Sequence, residues 1–221
     1  ARKPVDGGEG WVINGPKAWC TFAGRANILA LLARTDGNPA SGAKGLSLFI
    51  VEKDAVRDHA FKLTQPGGGV MEGKADKTIG YRGMHSYTVQ FENWFVPAEN
   101  LVGGEAGLGK GFYLQMGGFA AGRLQTGGRA CGLAQAALEK SCEYVLDRIQ
   151  FGKATIEYGL TQYEIGRMAA RLAAARAITY PAAEAMDGDE RKAAPLAAQA
   201  KLLSCDIAVE IAQKGQVLHG G

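Results

Sequence analysis

The stretch Phe95-Val96-Pro97-Ala98-Glu99-Asn100-Leu101-Val102-Gly103-Gly104-Glu105 separates two kinds of sequence pattern. Before it, short apolar runs alternate with turn residues, which is typical of antiparallel β-structure. After it, apolar residues recur every three or four positions, which is the period of an amphipathic helix. The sequence therefore predicts an α+β chain, with a β domain over residues 1–104 and a helical domain over residues 105–221.

The apolar runs of the first part predict the strands of a small antiparallel β-barrel or sandwich. Asn14-Gly15 follows Trp11-Val12-Ile13 and predicts a tight hairpin turn, because both central positions of such a turn take a positive φ. The segment Gln65–Lys77, which contains three consecutive glycines, is predicted to be a loop. The other predicted strands are Ile28–Arg34, Leu46–Glu52, Ala60–Leu63, Lys77–Tyr81 and Tyr87–Phe95.

Four apolar stripes in the second part predict a four-helix bundle, truncated at its last helix. The stripes lie within residues 112–119, 138–149, 165–179 and 196–218. Because proline cannot continue the hydrogen-bond ladder of a helix, Pro181 is expected to kink or end the third helix.

Composition and charge exclude several classes of protein. Of the 221 residues, 47% are hydrophobic and 21% are charged, which excludes a disordered chain. The net charge of +3 is too small to predict a nucleic-acid partner, and no apolar run is long enough to predict a membrane span. Cys20, Cys131, Cys142 and Cys205 lie far apart, which predicts no metal site and favours a reducing, cytoplasmic compartment.

Five segments, in order along the chain, resemble the acyl-CoA dehydrogenase family of flavoproteins. Gly10–Thr21 (GWVINGPKAWCT) is similar to the family's G-x-x-I-N-G-x-K-x-W-I-T motif, and Asp147–Gly152 is similar to its R-x-x-F-G signature. The other three are Ala26–Thr35, Phe91–Pro97 and His219–Gly221. The resemblance implies the family's middle β domain and C-terminal helical bundle, without its N-terminal helical domain.

The resemblance implies FAD as the cofactor and places three residues against the flavin ring. Trp19, Cys20 and Thr21 fall where the family lays backbone and side chains against the isoalloxazine. A flat apolar wall and hydrogen-bonding groups suit such a ring, and tryptophan and threonine supply both. The alternative for these residues is a β-strand with a buried tryptophan.

A second group of residues would reach the diphosphate of the cofactor. Arg148, Gln150 and Phe151 match the part of the family signature that contacts a flavin bound mainly by the neighbouring subunit, which implies a homo-oligomer, either a dimer or a tetramer. A guanidinium suits phosphate because it forms two parallel hydrogen bonds and keeps its charge. Gly220 and Gly221 would let the backbone approach the cofactor closely. The alternatives are an arginine that offsets a helix dipole and a glycine helix cap.

The resemblance also assigns Phe119 and Arg123 to the CoA part of an acyl-CoA substrate, the alternative being an ordinary amphipathic helix with a surface arginine. The family needs a glutamate to take the α-proton. A minority of members carry it immediately before the arginine that Arg123 matches, where this chain has Gly122. No catalytic residue is therefore predicted in this chain, and the base is expected beyond Gly221.

The function implied by the resemblance is FAD-dependent oxidation of an acyl-CoA thioester to the 2,3-enoyl-CoA, with an electron acceptor such as an electron-transfer flavoprotein. Within the family, Gly80–Ser86 and Gly118–Thr126 are similar to the methylsuccinyl-CoA dehydrogenases. Two alternatives stay open. One is a flavin oxidase or monooxygenase of the same fold, and the other is a non-catalytic, flavin-free scaffold, with which Gly122 is consistent.

Overall fold

The computed structural model describes residues 1–3, 9–80 and 83–221, with the exception of the Glu190 side chain. The chain divides into two compact units, Ala1–Gln115 and Met116–Gly221. The first is built mainly from β-strands and the second from helices, which confirms the predicted α+β organisation. Within the described residues, none of the helices combines the length and the hydropathy that crossing a membrane requires.

The first unit contains two antiparallel sheets. Its strands are β1 (Trp11–Thr21), β2 (Ile28–Arg34), β3 (Leu46–Glu52), β4 (Ala60–Thr64), β5 (Val70–Ala75) and β6 (Ser86–Val96). Four strands form one sheet in the order β1-β6-β5-β4, and β2 pairs with β3 in the other. In the part of the chain that the structure describes, the two sheets do not close into a barrel.

The core of this unit is built from large side chains that alternate along the strands. On β6, Tyr87, Val89 and Phe91 are buried and the residues between them are exposed, as expected for a strand with one face on the core. Phe49 of β3 is fully buried and meets the edge of Trp11, with ring centroids 5.5 Å apart. This cluster holds the two sheets together.

The predicted hairpin turn at Asn14-Gly15 is wrong. β1 continues through both residues, and its register with β6 shifts between Ile13 and Gly15, where Gly15 has a φ of 119°. The Asn14 side chain accepts a hydrogen bond from the Asn93 amide at 2.8 Å. The positive φ of Gly15 therefore belongs to an irregularity within a long strand, next to the hydrogen bond between the Asn14 side chain and strand β6.

The predicted loop Gln65–Lys77 contains strand β5. Its Gly73 lies beneath the Phe61 ring, and a Cβ at Gly73 would come within 2.1 Å of that ring. The loop prediction is therefore wrong over β5, where Gly73 is required by close packing inside the sheet. The predicted strand Lys77–Tyr81 is absent over Lys77–Gly80, and Tyr81 lies outside the described residues.

Three long helices carry the four predicted helical segments. They are α1 (Gly111–Asp147), α2 (Gly159–Gly188) and α3 (Glu190–Leu218). The first two segments are continuous in α1, although Ile149 lies beyond the end of this helix. Pro181 does not end α2, which continues to Gly188. Short 3-10 helices span Pro39–Gly45, Ala98–Asn100, Gly104–Gly107 and Thr155–Glu157.

The core of the helical unit combines small residues with a few large aliphatic ones. Its fully buried members include Ala134, Ala175, Ile207 and Ile211. Only Asp189 separates α2 from α3, and its carboxylate accepts hydrogen bonds from the amides of the first turn of α3.

Candidate functional site

Trp19 lies where the register of β1 against β6 shifts a second time, between Lys17 and Cys20. Its φ is 59°, and its side chain is 70% exposed. Phe22, just after the strand, has the same φ and is 39% exposed. The bulge thus turns a large aromatic ring away from the core, which is what a flat wall for a planar ligand needs.

The side chains of Cys20 and Thr21, which follow Trp19, point in different directions. Thr21 is exposed and pairs with Ser86. Cys20 is half-buried and packs against the core of the β unit. Burial raises the pKa of the Cys20 thiol, although the nearby Lys17 ammonium acts in the opposite direction. Of the three residues predicted to face a flavin ring, Trp19 and Thr21 present their side chains to the surface and Cys20 does not.

The second predicted group lies on a small hairpin directly after α1. Its strands are β7 (Ile149–Gln150) and β8 (Lys153–Ala154), and Phe151-Gly152 forms the two-residue turn. Both turn residues have positive φ, 49° and 83°, as tight hairpins require. Helix α1 ends at Asp147, before this hairpin begins. The turn leaves the Phe151 ring 96% exposed.

Hydrogen bonds fix this hairpin to its surroundings. The Arg148 amide donates to the Tyr144 carbonyl at 2.9 Å, and the Arg148 carbonyl accepts from the Thr155 amide at 2.8 Å. The Tyr158 hydroxyl donates to the Gln150 carbonyl at 2.8 Å. The backbone of Arg148 and Gln150 is therefore held in place, while both side chains are exposed.

Arg148 lines an open cavity of about 470 Å³ at the end of α1. The side chains around it are those of Lys140, Glu143, Tyr144, Asp147, Arg148 and His219. Lys140 forms an ion pair with Glu143, with Nζ 2.7 Å from Oε2. Within the described residues, the Arg148 guanidinium has no ion pair or side-chain hydrogen bond. It is therefore the cation of this cavity that is available to a ligand.

Gly220 and Gly221 directly follow His219, which lines the same cavity. They close α3 in a Schellman arrangement: the Gly220 amide donates to the Val217 carbonyl and the Gly221 amide to the Gln216 carbonyl, both at 3.0 Å. Gly220 has a φ of 90°. The helix-cap alternative for these glycines thus holds, and their contact with a cofactor stays a prediction.

Phe119 and Arg123 lie one turn apart on the same face of α1. Phe119 is 47% exposed, and Arg123 is half-buried. Gly122 is exposed between them, and a Cβ at that position would meet no atom within 4 Å. The structure thus places an aromatic ring and a guanidinium next to each other on an open helix face.

The two histidines of the β unit lie side by side, a pairing for which the sequence contains no signal. His59 is exposed and His85 is half-buried, and they are hydrogen-bonded to each other, with 2.8 Å between their Nε2 atoms. Across residues 1–3, 9–80 and 83–221, no three histidine, cysteine, aspartate or glutamate side chains are grouped so as to hold a metal ion.

Two family models match the chain. The model described as "Acyl-CoA dehydrogenase, middle domain" matches residues 2–94, and "Acyl-CoA dehydrogenase, C-terminal domain" matches residues 109–221. The chain belongs to the acyl-CoA dehydrogenase family. This confirms the resemblance predicted from the five motifs.

Individual members of the acyl-CoA dehydrogenase family match nearly the whole chain. The (2S)-methylsuccinyl-CoA dehydrogenase of Cereibacter sphaeroides is 39% identical over 219 residues, which are 99% of this chain and 38% of that protein. The structure of butyryl-CoA dehydrogenase from Megasphaera elsdenii is 29% identical with a TM-score of 0.83, and the match covers 100% of this chain and 52% of that one.

A further match is a chain in the structure of the electron transferring flavoprotein of Acidaminococcus fermentans. It is 28% identical with a TM-score of 0.82, and the match covers 97% of this chain and 52% of that chain. The chain spans about half the length, or less, of the curated relatives it matches first.

Each unit, taken by itself, presents an exposed group that suits one part of the family's flavin cofactor. A dinucleotide needs a cation for its diphosphate and a flat surface for its ring. Arg148 is a guanidinium beside a cavity, without an ion pair among the described residues, and Trp19 is an exposed ring turned outward by a bulge.

Proposed function

We propose that this chain forms the middle and C-terminal part of an FAD-dependent acyl-CoA dehydrogenase, with a middle domain over residues 1–104 and a C-terminal domain over residues 105–221. The observation that carries the proposal is the cavity at the end of α1. It brings Arg148 and the end of α3 together, although 71 positions separate Arg148 from His219 in the sequence. Two segments that the family signature assigns to one cofactor are thus neighbours in space.

In this proposal, each exposed group has one task. Arg148 binds the cofactor diphosphate through its guanidinium, and the turn residue Phe151 covers an apolar part of the same ligand. Trp19 and Thr21 provide the wall and a hydrogen-bonding hydroxyl at the flavin ring, while Cys20 contributes through its backbone. When bound, FAD accepts the hydride that leaves the β-carbon of the thioester as the α-proton is removed.

The substrate is an acyl-CoA thioester, with Phe119 and Arg123 along its CoA part. Arg123 suits a phosphate-bearing ligand, and Phe119 suits the pantetheine arm. We assign the α-proton to no residue of this chain. The 39% identity to a (2S)-methylsuccinyl-CoA dehydrogenase makes (2S)-methylsuccinyl-CoA the first ester to test.

The proposal extends to partners and compartment. The match to a chain in an electron transferring flavoprotein structure supports such a flavoprotein as the electron acceptor. A homo-oligomer, dimer or tetramer, follows if Arg148 reaches a cofactor held mainly by the neighbouring subunit. The four separated cysteines, which are free thiols, support a reducing, cytoplasmic compartment.

Replacing Arg148 tests the cofactor site directly. In the complete protein, Arg148→Ala should weaken FAD binding to the apoprotein by about 10- to 100-fold, the range expected for lost charge-assisted hydrogen bonds. Arg191→Ala, an exposed arginine near the start of α3, is the matched control and should bind FAD normally. Equal FAD affinity in the Arg148→Ala variant and the wild type would contradict the phosphate role. An apoprotein that binds no FAD at all would favour the flavin-free scaffold.

A further inference from the structure

Two aromatic rings join the ends of α1 and α3. Tyr144 lies in the last turn of α1, and His219 is the residue that caps α3. Their rings are stacked, with centroids 4.3 Å apart and planes inclined by 29°. This arrangement gives a favourable offset contact between two flat side chains, and it lies at the wall of the cavity that Arg148 lines.

The helices already pack closely one turn earlier. A Cβ on Gly215 of α3 would come within 2.7 Å of the Ser141 hydroxyl of α1. The stack is thus the continuation of a tight helix–helix contact, and it extends that contact to the point where both helices end. Each of these helices leads directly into one of the two segments assigned to the cofactor.

Hydrogen bonds hold the His219 ring and the backbone of Tyr144. His219 Nδ1 lies 2.7 Å from the Gly215 carbonyl, so this nitrogen carries the proton and donates it. The His219 amide also donates to carbonyls of the preceding turn. On the other side, the Tyr144 carbonyl accepts the Arg148 amide. The His219 ring is therefore held by a hydrogen bond, and the Tyr144 backbone is bonded directly to the backbone of Arg148.

The cap of α3 limits which groups at this cavity can compensate the charge of a bound phosphate. The amides of Gly220 and Gly221 are both used within the cap, so these glycines offer space rather than hydrogen-bond donors. A phosphate at the cavity must take its charge compensation from a side chain. Lys140 is already paired with Glu143, and no ion pair joins Arg148 to Asp147 within the described residues. The phosphate contact therefore depends on the position of Arg148.

We propose that the Tyr144–His219 stack is a positioning pair for the cofactor site. It holds the backbone of Arg148 beside the end of α3, so that the guanidinium and the space left by the glycines serve the same phosphate group. A long exposed side chain loses considerable conformational freedom when it binds, and a fixed backbone reduces that cost. The inference rests on the proposed function, because it presupposes a phosphate-bearing dinucleotide at this cavity.

The test is FAD titration of the apoprotein of the complete protein, followed by flavin fluorescence, together with thermal unfolding of each apoprotein. Tyr144→Ala and His219→Ala should each weaken FAD binding by about tenfold, since small displacements of a binding group have effects of this size. Tyr144→Phe keeps the stack and should bind within about twofold of the wild type. If Tyr144→Ala fails to fold, His219→Ala and Tyr144→Leu provide the same comparison.

A double-mutant cycle separates positioning from a direct contact. If the stack acts through Arg148, Tyr144→Ala should have no further effect in the Arg148→Ala background. An equal loss in both backgrounds would overturn the inference, as would unchanged FAD affinity in the Tyr144→Ala and His219→Ala variants. In both cases the wild type still binds FAD, so the proposed function survives. A wild-type apoprotein without FAD affinity would instead overturn the proposed function itself.

Discussion

The two units of the molecule have cores of different kinds. The β unit buries large aromatic rings that contact one another, whereas the helical unit buries mainly alanines and aliphatic side chains. The aromatic residues of the first core are Trp11, Phe49, Phe61, Tyr87, Phe91 and Trp94. Large rings fill the space between two sheets, and small side chains let helices approach closely. The β unit should therefore lose stability when a large buried side chain is shortened. The helical unit should lose stability when a small residue between two helices is enlarged.

The helical unit also leaves much apolar surface in contact with solvent. Among the described residues of this unit, eight large apolar side chains on the helices are more than half exposed: Leu133, Leu146, Leu160, Tyr163, Tyr180, Leu202, Val209 and Val217. Exposed apolar side chains that adjoin one another are typical of surfaces that meet another protein surface. This agrees with the homo-oligomer that we propose from the Arg148 signature.

The largest effect is expected from a cavity in the β unit. Phe49→Ala removes a fully buried ring and its edge contact with Trp11, and should lower the free energy of unfolding by about 3–5 kcal/mol. Ile50→Ala on the same strand is the control, because Ile50 is 40% exposed. Calorimetric unfolding checks both. Equal losses for the two variants would contradict the importance of core volume.

In the helical unit, adding a methyl group should have opposite effects at two glycines. Gly215→Ala places a Cβ against the buried Ser141 hydroxyl and should destabilise by about 1–3 kcal/mol. Gly166→Ala adds the same group in α2, where no atom lies within 4 Å, and should stabilise by about 0.5–1 kcal/mol because alanine favours the helix. Unfolding temperatures that shift in the same direction would show that α1 and α3 do not pack as described.

A smaller effect is expected from the buried hydroxyl pair between α2 and α3. Thr179 and Ser204 hydrogen-bond to each other at 2.8 Å. Thr179→Val leaves the Ser204 hydroxyl with only a long hydrogen bond, 3.4 Å, to the Ala175 carbonyl. It should therefore lower the free energy of unfolding by about 1–2 kcal/mol. The double variant Thr179→Val/Ser204→Ala should be nearly as stable as the wild type, because no buried hydroxyl is then left unpaired and only the weak contact of the Cys131 thiol with Thr179 is lost. Denaturant unfolding of the wild type, the single variants Thr179→Val and Ser204→Ala, and the double variant checks this. A double variant that loses the sum of both single losses would contradict the pairing.

The smallest expected effect compares one thiol from each unit. Burial raises the pKa of both Cys20 and Cys142, but Lys17 lowers that of Cys20 while Glu139 raises that of Cys142 further. Lys17→Met should therefore slow alkylation of Cys20 near pH 8, and Glu139→Gln should accelerate that of Cys142, each by a few-fold, since only the thiolate reacts. Mass spectrometry of iodoacetamide-treated protein measures both rates. Faster alkylation of Cys20 in the Lys17→Met variant would contradict the assigned interaction.

The alternation along the strands and the helical periods were sufficient to predict most of the fold. β2 and β3 occur at their predicted bounds, because their apolar runs end at clear turn residues. The predictions were wrong where a local sequence pattern indicated a turn or a loop within what is a β-strand. Asn14-Gly15 forms an irregularity within β1, and Gly73 makes room for the Phe61 ring. Such uses depend on a partner strand that is distant in sequence.

The candidate site was only partly predictable for a related reason. A motif identifies residue types, so Trp19 and Arg148 could be selected, but not the inward direction of Cys20 or the hairpin that carries Phe151. The contact between Tyr144 and His219 joins residues 75 positions apart and has no local signal. Only the presence of a histidine directly before the predicted glycine cap could have directed attention to it.

The most direct test of the proposed dehydrogenase activity is an anaerobic titration of the purified complete protein with acyl-CoA esters, beginning with (2S)-methylsuccinyl-CoA and butyryl-CoA. The visible spectrum should show a bound flavin, and one ester should bleach the flavin band by reducing it. A flavin band that no ester bleaches, or a protein purified without flavin that FAD does not restore, would contradict the proposal that this chain serves acyl-CoA oxidation.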